Sequence, residues 1–510
     1  MTPTILITAA MLYDLVQCPH RVSMDNFGDP TKRDNVSPFV QLLWDRGTSF
    51  EQQVIGRLKL PFLNLSIYSG EKNEQLTTDA MARREPLIYG GRISFGDLLG
   101  EPDLLRLEGA GYIAGDIKSG SGEEGVSDDD DDEGKPKVHY AVQLALYTDV
   151  LSQLGLSAGR RAFVWDVHGD EVTYNFDESY RIRNPTTLWH KYVDALTEAR
   201  AIIGKTDTTL PAFSSVCKNC VWYSECVREL EKTDDLTLIP FLGRSKRDVM
   251  IDRIATVQDL AASNPDAYIN KKKTDFAGIG PNSLRQFHAR AQLLSTKGSQ
   301  PYLTAPVSLP PSDHELFFDI EVDPMRDVCY LHGFVERRNG DDATERFVYF
   351  LAETPDAAAE ERAFQGAWEY MKASPAAAIY YYSKYERSIY RKLRAKYPSV
   401  CSADEVEQLF DPSRAVDLYY DVVRKATEWP TRDFSLKTLA KFLGFKWRDT
   451  HPSGAASIEW YNRWVETGDK KIRQRILDYN EDDCRATRIL LDAVLGLSAA
   501  SPSSYTSRLA

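Results

Sequence analysis

The spacing of hydrophobic and polar positions predicts a mixed α/β protein. Residues 112–118 alternate with the period of a strand, and residues 316–321 form an apolar run that two acids interrupt. Between residues 38 and 60 apolar side chains recur with helical spacing, and residues 479–484 are also predicted to be helical. Strands and helices are therefore expected in both halves of the chain.

The length of the chain predicts more than one domain. A chain of 510 residues exceeds what one hydrophobic core usually organises, since domains typically contain about 100–200 residues. We predict a first α/β domain over 1–232, a small helical connector over 233–300 and a second α/β domain over 301–510. The stretch 300–311 holds four prolines and is predicted to be a stiff linker.

Composition favours a cytoplasmic protein with no membrane partner. Hydrophobic residues make up 43% of the chain, enough for real cores, but no apolar run approaches the roughly 18–20 residues that span a bilayer. The start of the sequence lacks the features of a secretory leader. Seven cysteines are too few for a secreted disulfide scaffold of this length.

The net charge of −13 argues against a protein coated with basic surface, but it does not exclude a nuclease, because metal-binding carboxylates are themselves acidic. Part of the excess is the acidic run 128–133, which is predicted to be a solvated loop, with a regulatory role as the alternative. Basic residues gather at 244–247 and 271–273, where they could meet phosphates.

A candidate metal centre lies in the first half. Asp116 and Lys118 are two residues apart on a predicted strand and so share a face. Asp103 and Asp116 could bind Mg²⁺ or Mn²⁺, while Lys118 activates water and offsets charge on a phosphate. An isolated pair of this kind is more often an ordinary surface pair at a strand end, so the assignment depends on other residues.

Three further residues could complete this centre. Gln143 and Tyr147 are four apart on one helix face, where they could contact substrate, brace a metal site or simply pack. Glu51 lies beside the apolar stripe of the helix over 38–60 and could supply another metal ligand. Downstream, Cys217, Cys220 and Cys226 crowd together, which in a reducing compartment suggests metal binding.

The order Glu51, Pro102-Asp103, Asp116-x-Lys118 and Gln143-x-x-x-Tyr147 resembles the RecB-like branch of the PD-(D/E)xK nucleases. That branch includes the CRISPR-associated iron–sulfur exonucleases and the AddB-type nucleases. The resemblance implies a restriction-endonuclease-like fold. It also implies that Lys118, Gln143 and Tyr147 act in catalysis and that the acids hold Mg²⁺ or Mn²⁺.

The same resemblance extends to the cysteines. It implies that Cys18 joins Cys217-x-x-Cys220-x₅-Cys226 in holding a [4Fe-4S] cluster, which pins the two ends of the domain together. Spacing alone fits Zn²⁺ equally well, and only the resemblance favours iron–sulfur. One departure stands out, because Phe50 occupies the place where many members of the branch have a histidine ligand. Glu51 is therefore the candidate ligand that this helix supplies in its place.

Residues 276–281 read Phe-Ala-Gly-Ile-Gly-Pro and lie between two helical patterns, Val257 to Ser263 and Asn282 to Leu294. This segment resembles a helix-hairpin-helix, in which Gly278 and Gly280 would expose backbone N–H groups to a DNA phosphate. The alternative is a plain turn between packed helices.

A second candidate centre lies in the last third of the chain. Asp319 and Glu321 share one face of an apolar strand, and burying two carboxylates together is costly unless a cation neutralises them. Glu386 follows the strand pattern of residues 379–382, and Asp417 comes after it. Tyr479 and Asp483 are four apart on one helix face.

In this order the motifs resemble the DEDD 3′–5′ exonucleases of the ribonuclease H-like fold, tyrosine subtype, in the YprB-like branch. The resemblance implies two divalent cations, with Tyr479 orienting the attacking water. The middle motif departs from the usual aspartate and is assigned to Glu386, and residues 435–444 look like the helix before the last motif. The implied metal ligands are Asp319, Glu321, Glu386 and Asp483, with Asp417 as a supporting acid.

A RecB-like nuclease fused to a DEDD domain is itself a recognisable family, so the resemblance covers nearly the whole chain. It implies a metal-dependent nuclease that acts on nucleic acid, on DNA more than RNA, and a helicase partner. One alternative is a non-catalytic DNA-binding scaffold in the first domain. Another is an RNA-processing 3′–5′ exonuclease, because nothing in the sequence identifies a reader of the 2′-hydroxyl.

Overall fold

The computed structural model describes residues 5–124, 134–179, 185–450 and 452–497. The acidic run 128–133 lies outside these residues. The chain divides into two compact units, the first formed by 1–211 with 215–226 and the second by 212–214 with 227–510. Residues 233–300, predicted as a connector, belong to the second unit. None of the helices in the described ranges is long and apolar enough to cross a membrane.

The first unit contains eleven strands among its described residues and most of the early helices. The strands are β1 Ile7–Thr8, β2 Leu63–Asn64, β3 Leu87–Tyr89, β4 Ile93–Phe95, β5 Leu98–Gly100, β6 Leu104–Glu108, β7 Gly111–Ile117, β8 Glu123–Glu124, β9 Lys135–Pro136, β10 Arg161–Trp165 and β11 Glu171–Asn175. The helices are α1 Ala9–Gln17, α2 Pro19–Phe27, α3 Pro38–Arg57, α4 Gly70–Ala82, α5 Val138–Gln153, α6 Leu188–Ile203 and α7 Tyr223–Thr233, within which the division between the units falls.

A six-stranded sheet organises the first unit, in the order β11-β10-β7-β6-β3-β2. The central strand β7 is antiparallel to β6 and parallel to β10, and all seven of its residues are buried. Helix α5 packs against this sheet with Ala141, Leu144 and Leu151 in the core. Its apolar residues occur on nearly every face, as expected of a helix enclosed on most sides.

The second unit contains the remaining elements. Its strands are β12 Ile269–Asn270, β13 Lys273–Thr274, β14 Tyr302–Leu303, β15 His314–Asp323, β16 Val328–Arg338, β17 Asp341–Leu351, β18 Ala378–Tyr381, β19 Ala415–Asp417 and β20 Thr427–Glu428. Its helices are α8 Gly243–Met250, α9 Val257–Ala262, α10 Pro281–Ser295, α11 Ala357–Lys372, α12 Tyr385–Lys396, α13 Ala403–Leu409, α14 Arg424–Ala426, α15 Leu436–Phe442, α16 Gly454–Thr467 and α17 Lys470–Leu495.

A five-stranded sheet in the order β17-β16-β15-β18-β19 forms the centre of the second unit. Strands β17, β16 and β15 are antiparallel neighbours, whereas β15, β18 and β19 run parallel. Because side chains alternate along a strand, β15 contributes Leu316 and Phe318 to one core and Phe317 to the other. The second of these cores also contains Cys484 and Leu490 of α17. Asp319 and Glu321 share the face of Phe317 and therefore lie on the side that α17 covers.

Residues 233–300 form a small helical subdomain of the second unit. Residues of α8, α9 and α10 share one apolar core with the segment around Phe276. Arg290 on α10 donates to Glu428 on β20 at 2.7 Å, and both side chains are almost fully buried. The stretch 300–311, predicted as a linker, contributes β14, which pairs antiparallel with β20. These contacts fix the helical subdomain to the rest of the second unit.

Candidate active sites

The first candidate site forms where β6, β7 and α5 of the first unit meet. Asp103 precedes β6, Asp116 lies on β7 and Lys118 directly follows that strand. Lys118 Nζ lies 2.8 Å from Asp116 Oδ2 and donates to Gln143 Oε1 at 3.4 Å. The Ile117 N–H donates to Asp103 Oδ2 at 2.7 Å. Three segments predicted to converge are thus brought together.

The charges of Asp103, Asp116 and Lys118 act strongly on one another. Burial raises the pKa of Asp103 well above its usual range, and the charges of Asp116 and Glu51 raise it further while Lys118 lowers it. Burial lowers the pKa of Lys118, but the Asp116 and Asp103 charges outweigh it and leave the pKa raised. The lysine therefore stays charged beside two carboxylates, as a group that compensates a phosphate requires.

Glu51 and Phe50 have different surroundings on α3. The Tyr89 hydroxyl donates to Glu51 Oε1 at 2.9 Å, and the Glu51 charge reaches Asp103. Phe50 packs against the apolar cluster that includes Ile55. Phe50 is thus part of an apolar cluster, whereas Glu51 is close enough to Asp103 for its charge to act there.

Gln143 and Tyr147 lie one turn apart on α5, as predicted. The Gln143 amide donates to the Tyr147 hydroxyl at 3.2 Å, and that hydroxyl donates to the Glu101 carbonyl at 3.4 Å. Tyr147 is almost fully buried. Burial raises its pKa well above the usual range, and the Asp116 and Asp103 charges add to the shift. Both residues therefore brace the acidic group from the helix side.

The four cysteines predicted to bind a metal group lie in the first unit. Cys18 separates α1 from α2, and the Cys220 N–H donates to the Cys217 carbonyl at 3.0 Å. Burial raises the pKa of the Cys220 thiol, and the neighbouring Cys18 and Cys217 thiols add to the effect. The Trp222 indole donates to Asp25 on α2 at 2.8 Å. The segment that holds Cys217 and Cys220 is thereby attached to α2, the helix that begins just after Cys18.

A hydrogen bond from a threonine side chain stabilises the glycine turn before α10. The Thr274 hydroxyl lies 2.6 Å from the Ile279 carbonyl, and Gly278 adopts a φ of +75° that favours glycine. Gly280 caps α10, and both glycines are exposed. Lys271, Lys272 and Lys273 are exposed on the adjoining hairpin. The phosphate contact predicted for the two glycines stays a prediction.

The second candidate site is an acidic trio in the second unit. Asp319, Glu321 and Asp483 each offer a carboxylate oxygen, and these atoms lie within 4.8 Å of one another. Within the described residues, this is the one group of three or more potential metal ligands that lies so close together. Asp319 is partly exposed, whereas Glu321 and Asp483 are buried. The trio joins the central strand β15 to α17.

The trio carries strong mutual repulsion. Burial raises the pKa of Asp319 well above its usual range, and the charges of Asp483, Glu321 and Glu386 raise it further. Burial also raises the pKa of Glu321, with the Asp483 charge as the next cause. Lys437 opposes both shifts. A divalent cation at this point would relieve the repulsion, so the residues fit a Mg²⁺ or Mn²⁺ site.

Neighbouring side chains fix the orientation of the trio. The Trp447 indole donates to Asp483 Oδ1 at 2.7 Å, and the Asn480 amide donates to Asp319 Oδ2 at 2.7 Å. Lys437 on α15 lies 2.7 Å from the Tyr479 hydroxyl and 3.3 Å from Asp483 Oδ2. Each of these bonds leaves carboxylate lone pairs available for a cation.

Asn480 requires a glycine on the neighbouring strand. Gly333 lies on β16 directly opposite Asp319, and a Cβ at Gly333 would lie 1.6 Å from Asn480 Oδ1. No side chain fits there unless Asn480 moves. Gly333 thus allows the amide to reach the carboxylate of Asp319.

Glu386 and Asp417 lie outside the 4.8 Å trio. Glu386 is the second residue of α12, and its Oε2 atom has no hydrogen-bond partner among the described residues. Burial raises its pKa to about 8, and the Asp417 charge contributes. Asp417 accepts from the N–H groups of Tyr419 and Tyr420 at 2.9 and 3.0 Å, which caps the following helical turn. Glu386 also raises the pKa of Asp319, so its charge reaches the trio.

One comparison with known proteins identifies this part of the chain. Residues 316–495 match the RNase_H_2 family, of the RNase_H superfamily. The C-terminal part of the chain is a ribonuclease H-like domain. The matched residues contain nearly all of β15, strands β16 to β19, the acidic trio and the whole of α17. The domain points to a nuclease that acts on nucleic acid with divalent metal ions such as Mg²⁺. No curated protein matches the chain.

Several residues around the ribonuclease H-like site were not predicted from the sequence. Trp447 lies in the loop after α15, Asn480 lies one residue after Tyr479, and Lys437 lies in a segment assigned only by resemblance. A lysine or an asparagine on a helix carries no periodic signal. The surplus of acids in the predicted motifs could have indicated that hydrogen-bond donors must lie nearby.

Proposed function

We infer that the ribonuclease H-like domain is a metal-dependent 3′–5′ exonuclease that releases nucleoside 5′-monophosphates. The observation that carries this proposal is the acidic trio on β15 and α17, whose oxygens lie within 4.8 Å of one another. Carboxylates gathered so closely suit hard divalent cations. Asp319, Glu321 and Asp483 would hold the metal, and Glu386 would join them from α12.

The residues of the site have separable roles. Divalent cations held by Asp319, Glu321 and Asp483 would activate a water and stabilise the leaving 3′ oxygen. Asn480 and Trp447 hold the carboxylates of Asp319 and Asp483 in place. The Tyr479 hydroxyl accepts a hydrogen bond from Lys437 and is also hydrogen-bonded to Asp483, so it lies at the trio, where it would orient a water or a phosphate oxygen.

The direct test is digestion of nucleic acid labelled at either end. With Mg²⁺ or Mn²⁺, a 5′-labelled single strand should shorten one nucleotide at a time, and a 3′-labelled strand should release its labelled mononucleotide first. DNA is the substrate that we propose, and an RNA-processing exonuclease is the alternative. Matched DNA and RNA strands distinguish them, and faster cleavage of RNA would favour the alternative.

For the first unit we propose a RecB-like PD-(D/E)xK nuclease centre. The support is the convergence of Asp103, Asp116 and Lys118 with Gln143 and Tyr147, and the charge of Glu51 on Asp103. Lys118 would offset charge on the attacked phosphate. The predicted helicase partner depends on the resemblance alone.

A second candidate function for this unit is a DNA-binding scaffold without catalysis. The observation that favours it is Phe50, whose side chain belongs to an apolar cluster. An Asp319→Asn variant, with the C-terminal site silenced, separates the two. Residual metal-dependent cleavage that Lys118→Ala lowers on the order of 10²–10³-fold supports a nuclease centre. Binding of DNA with no cleavage in the Asp319→Asn protein supports the scaffold.

We also propose that Cys18, Cys217, Cys220 and Cys226 hold a [4Fe-4S] cluster, with Zn²⁺ as the alternative. Four thiolates suit either metal group, and the resemblance to the iron–sulfur branch favours the cluster. The charges of Cys18 and Cys217 on the Cys220 thiol support a shared site. Anaerobic purification followed by an absorption spectrum and metal analysis tests the assignment.

A further inference from the structure

A groove lies beside the acidic trio, in the loop between α15 and α16. Gly444 has a φ of +90° at the end of α15, a conformation that favours glycine, and turns the chain into this loop. The groove encloses about 350 Å³, within the range of ~300–1,000 Å³ typical of ligand sites. Lys441, Phe445, Lys446 and Trp447 contribute to its wall.

Two lysines give the groove a positive charge. Lys441 and Lys446 are exposed, and within the described part of the chain neither forms an ion pair. The one acid in the wall, Asp449, forms an ion pair with Arg475 at 2.5 Å. The neighbouring Arg448 is engaged with Asp478, Glu481 and Asp482. The charge available to a ligand in the groove is therefore cationic.

Aromatic rings accompany these lysines. Phe445 is partly exposed, and its ring lies 4.8 Å from that of Trp447 at an angle of 79°. Trp447 is mostly buried and donates to Asp483, so the groove adjoins the trio directly. Base–aromatic stacking with basic side chains along the backbone is how proteins hold single strands without sequence preference.

We propose that this groove binds an unpaired nucleotide of the substrate strand, next to the phosphodiester that the trio hydrolyses. Phe445 stacks on its base, and Lys441 and Lys446 contact its phosphates. The substrate of the C-terminal site is then single-stranded nucleic acid or an unpaired end. This proposal rests on the proposed exonuclease function, and it adds the class of substrate and the residues that select it.

The test measures KM in the full chain carrying Lys118→Ala, so that only the C-terminal site acts. Substrates are 3′-labelled single-stranded DNA, single-stranded RNA and blunt duplex DNA. Phe445→Ala should raise KM for a single strand on the order of tenfold or more, and less for the duplex. The double variant Lys441→Ala with Lys446→Ala should reduce the slope of log KM against the logarithm of the salt concentration by roughly 1.4, which is about 0.7 per lost phosphate contact.

Matched variants keep the outcome decisive. Lys470→Ala removes an exposed lysine on α17 that lies ~20 Å along the helix from Asp483 and should leave KM unchanged. Phe445→Tyr keeps the ring and should restore KM, and melting curves identify a folding defect. A rise in KM with only one polymer supports the groove and identifies the strand it holds. If the groove variants are fully active, with the same KM as Lys470→Ala, this proposal is wrong but the proposed function stands. If the unmutated protein releases no mononucleotides, the proposed function itself is wrong.

Discussion

At the scale of single residues, Gly333 controls the position of Asp319 without touching substrate. A methyl group at Gly333 would overlap Asn480 Oδ1, which must then move away from its 2.7 Å bond with Asp319. We expect Gly333→Ala to lower the rate of mononucleotide release on the order of tenfold or more, because the carboxylate loses its orientation. Enzyme kinetics with Mg²⁺ measure this effect.

A control separates orientation from general damage to β16. Gly340 also lies near β16, at the turn to β17, and open space surrounds it. Its φ of +64° makes Gly340→Asn the suitable substitution, since asparagine tolerates this conformation. This variant should keep full activity. Equal kinetics in Gly333→Ala and the unmutated protein would contradict the role of Asn480.

The buried carboxyl of Glu386 predicts how stability changes with pH. Its pKa in the folded protein is about 8, above the ordinary value of 4.5, so the fold favours the protonated form. The resulting stabilisation is fully present below pH 4.5 and is lost as the pH rises towards 8. With a chelator present, the second unit should therefore become less stable between about pH 5 and pH 8.

Glu386→Gln should lessen that decline, because the amide cannot ionise. Glu369→Gln removes an exposed carboxyl from α11 and should keep the slope of the unmutated protein. Denaturant unfolding at several pH values measures the free energy of unfolding for each protein. Identical slopes in Glu386→Gln and the unmutated protein would show that this carboxyl is not buried as described.

At the scale of elements, the proposed cluster would tie the junction of α1 and α2 to the segment that leads into α7. Because Cys18 is almost 200 residues from Cys217, a shared metal group would restrain a very long loop. Cys18→Ser should lose bound iron and lower the stability of the first unit, while the second unit stays folded. Iron analysis together with thermal unfolding measures both.

The matched control for the cysteine prediction is Cys401→Ala. Cys401 is buried in the second unit and is not one of the four proposed ligands, so this variant should keep its full iron content. A Cys18→Ser protein with undiminished metal, or an unmutated protein that holds neither iron nor zinc, would contradict the proposed cluster.

The sequence predicts long periodic elements well. Strands β7 and β15 and helices α3 and α10 agree with the predicted segments within a few residues, because each is long enough to show a clear apolar pattern in the sequence. Two-residue strands such as β14 and β20 have too few positions for a period. Their pairing therefore could not be predicted, although it fixes the stretch 300–311 in the second unit.

The same limit applies to the candidate sites. Asp319 and Glu321 were predicted because two acids within an apolar strand are conspicuous, whereas Asp483 was predicted from its helical spacing with Tyr479 and from the resemblance. Trp447 was not, since it lies in an irregular loop and its bond to Asp483 depends on tertiary packing. Glu386 was predicted only to follow a strand and lies in the first turn of α12, because the strand pattern gives no sign of where the helix begins.

At the scale of the whole molecule, the chain carries two acidic centres in two separate units. The first pairs its acids with Lys118, whereas the second gathers three carboxylates with Lys437 as the nearby cation. Because the units are distinct, silencing one centre should leave the other active. Variants with one centre or both centres inactivated therefore show how much of the activity of the full chain comes from each centre.

The most direct test of the second centre is metal-dependent mononucleotide release by full-length protein carrying Lys118→Ala, with and without Asp319→Asn. Asparagine keeps the size of the side chain but removes a charge from the trio, so release should fall by at least on the order of 10²-fold. Folding should survive, because repulsion with Glu321 and Asp483 is relieved. Asp478→Asn, on the same helix but outside the trio, should stay active. Unchanged release in the folded Asp319→Asn protein would contradict the assignment of the second active site.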